Sequence, residues 1–221
     1  MSTGLFDWQF ALEILPALLG GLWVTIQVSL LAFALAAVLG LFIALGRRSD
    51  NKWLSEPVGM LVEFVRSTPL LVQLFFFFYV LPRYGFRMPA FILGTLALGL
   101  HYGTYASEVY RAGINAVDRG QWEAATALNF SPVRTWTGII LPQAIPPMIP
   151  ALGNYLVAMF KESAQLSAIT VTELLSTASI IGAQTFRYVV PYTMVGALYF
   201  LISYPSSLFV RRLEARYARR A

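Results

Sequence analysis

The 221-residue chain has no cysteine, one histidine and two lysines, and only 12% of its residues are charged. Without cysteine there is no disulfide, no thiol nucleophile and no thiolate metal site. With His101 as the lone histidine, neither a His/Cys cluster nor an H-E-x-x-H helix can be built. No G-x-S-x-G turn is present. Neither Lys52 nor Lys161 closes a G-x-x-x-x-G-K-[ST] loop, so the chain carries no phosphate cradle for ATP. These absences argue against an enzyme, and no catalytic or metal-ligating residue is assigned. His101, inside an apolar run, reads as a hydrogen-bonded core residue.

What the chain has in quantity is apolar sequence. It is 57% hydrophobic with a mean hydropathy of +0.65, whereas a soluble domain carries roughly twice its share of charge. Residues 14–46, 88–107, 135–160 and 188–210 are free of charge. A helix needs roughly 20 apolar residues to cross the hydrocarbon, so the expectation is an all-α, multi-pass membrane protein forming one domain over 1–221. The first apolar run is too long for the core of a cleavable signal, and Met1 to Glu13 contains no Lys or Arg. The basic pI near 9.6 does not point to nucleic acid, because the basic residues gather at span ends.

Five spans are predicted, at about 18–45, 58–81, 89–110, 144–165 and 189–210. In the second, Glu63 and Arg66 stand at or inside the membrane boundary and are spaced to pair, and Thr68-Pro69 predicts a kink. With the N-terminus outside, the inner segments hold Arg47, Arg48, Lys52, Arg111, Arg119, Arg134, Arg211, Arg212, Arg216, Arg219 and Arg220, eleven in all. The outer segments hold four, Arg83, Arg87, Lys161 and Arg187. The bias predicts N-out, C-in. Small residues recur at Ala32, Ala36, Gly40 and Ala44, and again at Gly99, Gly103 and Ser107. Such stripes bring helices together backbone to backbone, either inside this subunit or against a second one. Phe75 to Tyr79 is expected to face lipid or packing, and Trp8, Trp23 and Trp53 fit membrane interfaces.

Residues 118–143 cannot span a bilayer. Asp118 is an N-cap with Gln121 in the capping-box position. A short Ala-rich helix then runs from Arg119 to Leu128. Asn129 tolerates the left-handed conformation of a helix end. Ser131 caps a second helix with Pro132 in its first turn, predicted to stop at Pro142. The result is a helical hairpin with a tight corner, open to the aqueous phase between spans three and four. Glu123 beside Ala124 and Ala125 presents a carboxylate on approachable backbone, suited to a basic partner or simply to solvent. Glu108 and Arg111, three apart, are spaced for an ion pair at the base of the hairpin. Asn154, Lys161, Glu162, Ser163 and Gln165 place polar groups towards the outer end of span four, where a path for a zwitterion would want them.

The stretch GQWEAATALNF, followed by IILPQAIPPMIPALGNYL, resembles the EAA loop of binding-protein-dependent ABC importer permeases, through Glu123, Ala124, Ala125, Ile140, Leu141 and Pro142. FVRSTPLLVQLFFFFYVLP at 64–82, YGTYASEVYRAGINAVDRGQWEAA at 102–125 and KESAQLSAI at 161–169 resemble blocks of the polar amino-acid branch. The likeness covers about 18–213. Asn129 stands where that family has Gly, Ser67 replaces a Gly, Gly103-Thr104 replaces Gly-Ala, and Ala164-Gln165 replaces a Ser pair.

The resemblance implies a permease subunit of a bacterial inner membrane, with a coupling hairpin at 118–143. Its docking residues for an ATPase subunit would be Gly120, Gln121, Trp122, Glu123, Ala124, Ala125, Leu128 and Asn129, supported by Glu108, Arg111 and Pro142. ATP and magnesium would belong to that ATPase, and this chain would bind no cofactor. A second permease subunit, the same or different, an extracytoplasmic solute-binding protein and membrane lipid complete the implied partners. The implied solute is a polar amino acid or a related small zwitterion, such as a compatible solute. The competing class is a self-sufficient secondary transporter, which would want inverted repeats and intramembrane carboxylates. Five spans do not divide into equal halves, and only Glu63 and Glu108 are expected near membrane depth.

Overall fold

The computed structural model describes residues 6–218, and every regular element among them is helical. Arg219 and Arg220, counted above with the inner basic residues, lie outside the described residues. Helix α1 runs Trp8–Arg47, 40 residues, or about 60 Å at 1.5 Å per residue. It starts ten residues before the expected span because Asp7 caps it, accepting from the Phe10 amide at 3.1 Å. One face of its added turns is buried too. Phe10, Ala11, Ile14 and Leu18 pack with Leu174, Ala178, Val190 and Val195 of two later helices.

Helix α4 (Ala90–Asn115) lies against α1 along the most extensive helix–helix contact among the described residues. A Cβ on Gly40 would stand 2.7 Å from Ala106 Cβ and 2.9 Å from the Gly103 carbonyl oxygen. A Cβ on Gly99 would stand 2.6 Å from Leu35. Ala32, Ala36, Ala44 and Ser107 are buried along the same line. The two small-residue stripes therefore face each other inside one subunit. At Gly40 glycine is required, because the α4 backbone approaches too closely for a side chain.

The second span differs from the expected single kinked helix. Helix α2 (Lys52–Ser67) ends at Thr68, whose ψ of 136° is the extended backbone a following proline imposes. Helix α3 (Leu70–Phe75) then continues as a π turn, Phe76–Val80, and a 3-10 turn, Leu81–Tyr84. The two halves meet at 104°. Gln73 closes the corner. Its Nε2 donates to the Val65 and Thr68 carbonyls, at 2.7 and 3.0 Å, and lies 2.8 Å from Thr68 Oγ1. His101 Nδ1 lies 3.3 Å from Gln73 Oε1, the core hydrogen bond expected for a lone histidine. Glu63 and Arg66 do not pair; Arg66 lies instead over the Tyr105 ring. Of the aromatic run, Phe75, Phe76 and Tyr79 are exposed, while Phe77 and Phe78 pack on the core.

After α4 come α5 (Arg119–Ala127), α6 (Pro132–Thr135), α7 (Leu141–Glu162), α8 (Leu174–Thr185) and α9 (Val189–Ala218). A 3-10 stretch, Ser163–Ile169, separates α7 from α8, and the chain bends by 49° there. Helix α8 is an element the apolar pattern did not announce. Among the described residues, Trp8–Arg47 and Val189–Tyr217 are long and apolar enough to cross a membrane alone; counting each bent pair as one span raises the number to four.

The glycine seam gives a direct expectation. Gly40→Leu forces α1 and α4 apart and should destabilise the detergent-solubilised chain by about 1–3 kcal/mol, read as a fall in its thermal midpoint. Gly20→Leu, whose added Cβ meets nothing within 4 Å, should leave the midpoint nearly unchanged.

Candidate functional site

The hairpin forms largely as its sequence dictates. Asp118 caps α5, its Oδ1 accepting from the Gly120 amide at 2.6 Å. Asn129 has a φ of 51°, the left-handed conformation. Around it, the Phe130 amide donates to the Ala125 carbonyl and the Asn129 amide to the Thr126 carbonyl, both at 3.0 Å. This pair of bonds is the Schellman closure of a helix end. Ser131 Oγ accepts from the Arg134 amide at 3.4 Å and starts α6 with Pro132 at its head.

Two details depart from expectation. Gln121 does not reach back to its cap; its Oε1 accepts from Gln143 Nε2 at 3.3 Å, tying one arm of the hairpin to the other. Nor does Pro142 stop the second arm. A π turn, Trp136–Ile140, carries α6 into α7. The Leu141 amide donates to the Trp136 carbonyl, five residues back. This wider turn makes room for the proline ring, which would clash with the carbonyl four residues before it in a regular helix.

The arms are held by Trp122 against Trp136, centroids 5.1 Å apart and nearly perpendicular. Ala125 is fully buried and Trp122 half-buried, so these two support the hairpin from within. Gly120, Gln121, Glu123, Ala124, Leu128 and Asn129 are exposed. Among the described residues Glu123 pairs with Arg119 alone, at 3.0 Å on an open surface, a pair worth a few tenths of a kcal/mol. Leu128 and Val133 leave apolar side chains 66% and 72% exposed at the corner. The corner thus sets an exposed carboxylate beside exposed aliphatic groups.

Glu108 pairs with Arg111 at 3.1 Å, as its spacing suggested, and also with Arg47 at the end of α1. Arg48 Nη1 donates to Asn115 Oδ1 at 2.6 Å. The hairpin thus hangs from two helices whose ends are joined by charge. The sequence missed Arg47 because its partner lies 61 residues away. Pro142 is exposed at the head of α7.

A second polar region lies between helices. Of the polar residues named on span four, Asn154 and Lys161 are exposed, Glu162 and Gln165 are half-buried, and Ser163 is buried, its Oγ donating to the Phe160 carbonyl at 2.8 Å. Glu162 closes α7 and neighbours Tyr102 in the middle of α4. Tyr102, Tyr105 and Tyr155 form a cluster with ring centroids 5.8–5.9 Å apart. Arg66 covers Tyr105 at 5.0 Å.

Glu173 is a buried carboxylate that the sequence pattern did not single out. It is fully buried and caps α8. The Ser176 and Leu175 amides donate to it at 2.7 and 2.9 Å, the Tyr199 hydroxyl at 2.9 Å and the Thr25 hydroxyl at 3.5 Å. Thr25 Oγ1 also accepts from the Leu174 amide at 3.2 Å. One side chain thereby joins α1, α8 and α9. Its signal was available: Glu173 is the sole charged residue between Ser163 and Phe186.

With this geometry in hand, the likeness to known proteins is specific. Residues 36–219 match the family described as the binding-protein-dependent transport system inner membrane component. The chain is 50% identical over 219 residues to the probable amino-acid ABC transporter permease protein y4tG of Sinorhizobium fredii, covering 99% of this chain and 95% of that one. It is 36% identical over 202 residues to the L-cystine transport system permease protein TcyB of Bacillus subtilis, covering 91% and 86%. A crystal structure of an amino acid ABC transporter with histidines superposes with a TM-score of 0.90 at 38% identity, over 95% of this chain and 98% of that chain. The chain belongs to the family of inner-membrane components of binding-protein-dependent transport systems.

Removing Glu173 tests its part in the fold. Glu173→Ala leaves two amides and the Tyr199 hydroxyl without partners and should cost on the order of 3 kcal/mol. Glu173→Gln, which keeps one carbonyl acceptor, should cost clearly less. Thermal unfolding of the purified chain reads both.

Proposed function

We propose that this subunit forms one half of the membrane passage of an ATP-driven importer of a polar amino acid or a related small zwitterion. The named relatives, which are amino-acid permeases, support the solute class. The protein crosses the membrane five times, as α1, the broken α2–α3 segment, α4, the α6–α7–α8 segment and α9, with the N-terminus outside. The eleven-to-four division of basic residues supports that orientation. A second permease subunit supplies the other half of the passage. An extracytoplasmic binding protein delivers the solute. ATP and magnesium are held by a partner ATPase, since this sequence contains no phosphate loop.

The observation that carries the coupling role is the exposed face of the hairpin. Glu123, Leu128 and Val133 point outwards from a corner whose inner side is fixed by Trp122, Trp136 and Ala125. A rigid body with an unsatisfied outer face transmits a push from a docked ATPase without deforming. Gly120, Gln121, Ala124 and Asn129 complete that face, and Glu108, Arg111 and Pro142 anchor it. Asn154, Lys161, Glu162 and Gln165 belong to the solute path in this reading; the Ser163 hydroxyl is already committed to a backbone carbonyl.

Two expectations test the proposal. Reporter fusions after Asn115 and after Arg220 should both report the cytoplasm; an external signal from either would reject the orientation. Reconstitution with each component omitted in turn should show uptake only when ATPase, binding protein and membrane subunits are all present. Glu123→Lys should abolish that uptake while membrane insertion stays normal. Accumulation by the lone chain under an ion gradient would instead establish the secondary-transporter alternative.

A further inference from the structure

Where α7 passes α9, the two helices leave an apolar groove of about 510 Å³, with Phe33 of α1 along its side. Leu152 and Leu156 line it from α7, and Pro205, Phe209 and Leu213 line it from α9. Its floor is closed, because a Cβ on Gly153 would stand 2.7 Å from Val210. The Ser206 hydroxyl in its wall donates to the Ile202 carbonyl at 2.7 Å, on its own helix. The groove therefore offers no free side-chain hydrogen-bonding group and suits a hydrocarbon chain. From Pro205 to Leu213 it follows α9 for about 12 Å, most of the roughly 15 Å depth of one leaflet.

One end of this groove is charged. Phe209, Arg212, Leu213 and Arg216 stand at i, i+3, i+4 and i+7, on one face of α9. Both arginines are exposed and, among the described residues, neither forms an ion pair. Glu214 stands two residues from each and so projects from the other side of the helix. Residues 135–160, which include the α7 wall, contain no acid. The apolar groove thus runs up to a pair of uncompensated guanidinium groups.

We propose that the groove holds one acyl chain of an anionic phospholipid of the inner leaflet, with its phosphate held by Arg212 and Arg216. The inference rests on the reading of this chain as a membrane-spanning importer subunit whose C-terminus is inside. Lipid tails are as apolar as leucine, so filling the groove gives little affinity by itself. Discrimination falls on the headgroup. Guanidinium groups take phosphate oxygens in bidentate fashion, and basic residues just cytoplasmic of a span attract anionic lipid. A helix of a second subunit fits less well. Gly153, where another backbone could approach, is already closed by Val210, and an apolar helix would leave both arginines unanswered.

The test uses the purified permease–ATPase complex, delipidated in detergent, and counts bound lipids by native mass spectrometry. Dioleoyl phosphatidylglycerol is compared with dioleoyl phosphatidylcholine, which has the same chains and a zwitterionic head. Wild type should take up one phosphatidylglycerol per copy of this chain, about tenfold or more tighter than phosphatidylcholine. The paired substitution Arg212→Gln and Arg216→Gln should abolish that preference, while Arg211→Gln, on the far side of α9, should keep it. Ile149→Trp, which fills the groove, should lose the bound lipid. Lipid-free thermal midpoints should be equal for the arginine variants, so that a lost preference reports the headgroup contact. Because the chain lacks cysteine, a photo-crosslinker attached to Phe209→Cys reads the occupant directly and should capture lipid. Equal affinity for the two lipids in the wild type, a preference that survives in the paired arginine variant, or capture of a second permease subunit from Phe209→Cys would overturn the proposal. Because this readout needs neither ATP hydrolysis nor uptake, its failure is distinct from failure of ATP-driven import.

Discussion

Hydrocarbon offers no hydrogen-bonding partner, and in this protein that constraint falls on the two places where a helix breaks between apolar neighbours. At each break one polar side chain takes up the released backbone. Gln73 satisfies the carbonyls left open at Val65 and Thr68. Glu173 satisfies the amides that open α8. Each is itself held from elsewhere, Gln73 by His101 and Glu173 by Thr25 and Tyr199. The interior polar residues are thus the terms on which a chain this apolar departs from straight helices. With straight helices alone it would have neither the corner at Thr68 nor the junction beside Glu162.

The α1–α4 seam gives those breaks a fixed frame. Gly40, Gly99 and Gly103 let two helices approach until backbone meets side-chain Cβ atoms, and the ends of the same helices are joined by Arg47, Glu108 and Arg111. Tight packing along the shaft and charge at the end hold one rigid pair. The broken segments and the hairpin are arranged around it.

Much of this was legible in the sequence, and the boundaries of legibility are physical. The continuous runs of α1, α4 and α9 were found because a charge-free stretch long enough to cross lipid has few other uses. The left-handed Asn129, the Asp118 cap and the Ser131 cap were found because local chemistry decides them. Local rules failed where a tertiary partner decides. Pro142 ought to end a helix, yet a π turn absorbs it. Gln121 ought to close a capping box, yet it finds Gln143. The size of the corner at Thr68 depends on Gln73, and α8 depends on a carboxylate whose partners stand 148 residues before it and 26 after it. The tyrosine cluster brings together α4 and α7 with the end of α2, and no spacing within one segment announces it.

The π turn at Trp136–Ile140 has a mechanical meaning. By admitting Pro142 without interruption, it makes the chain from Pro132 to Glu162 one unbroken rod, about 45 Å long. Its lower end is the corner at Asn129, fixed to the hairpin by the two tryptophans. Its upper end is the junction where Glu162 faces Tyr102. In the coupling role proposed above, a displacement of the corner would travel along this continuous helix to its other end. Had the helix stopped at Pro142, the same displacement would be spent bending a loop. The wider turn keeps a would-be breakpoint helical.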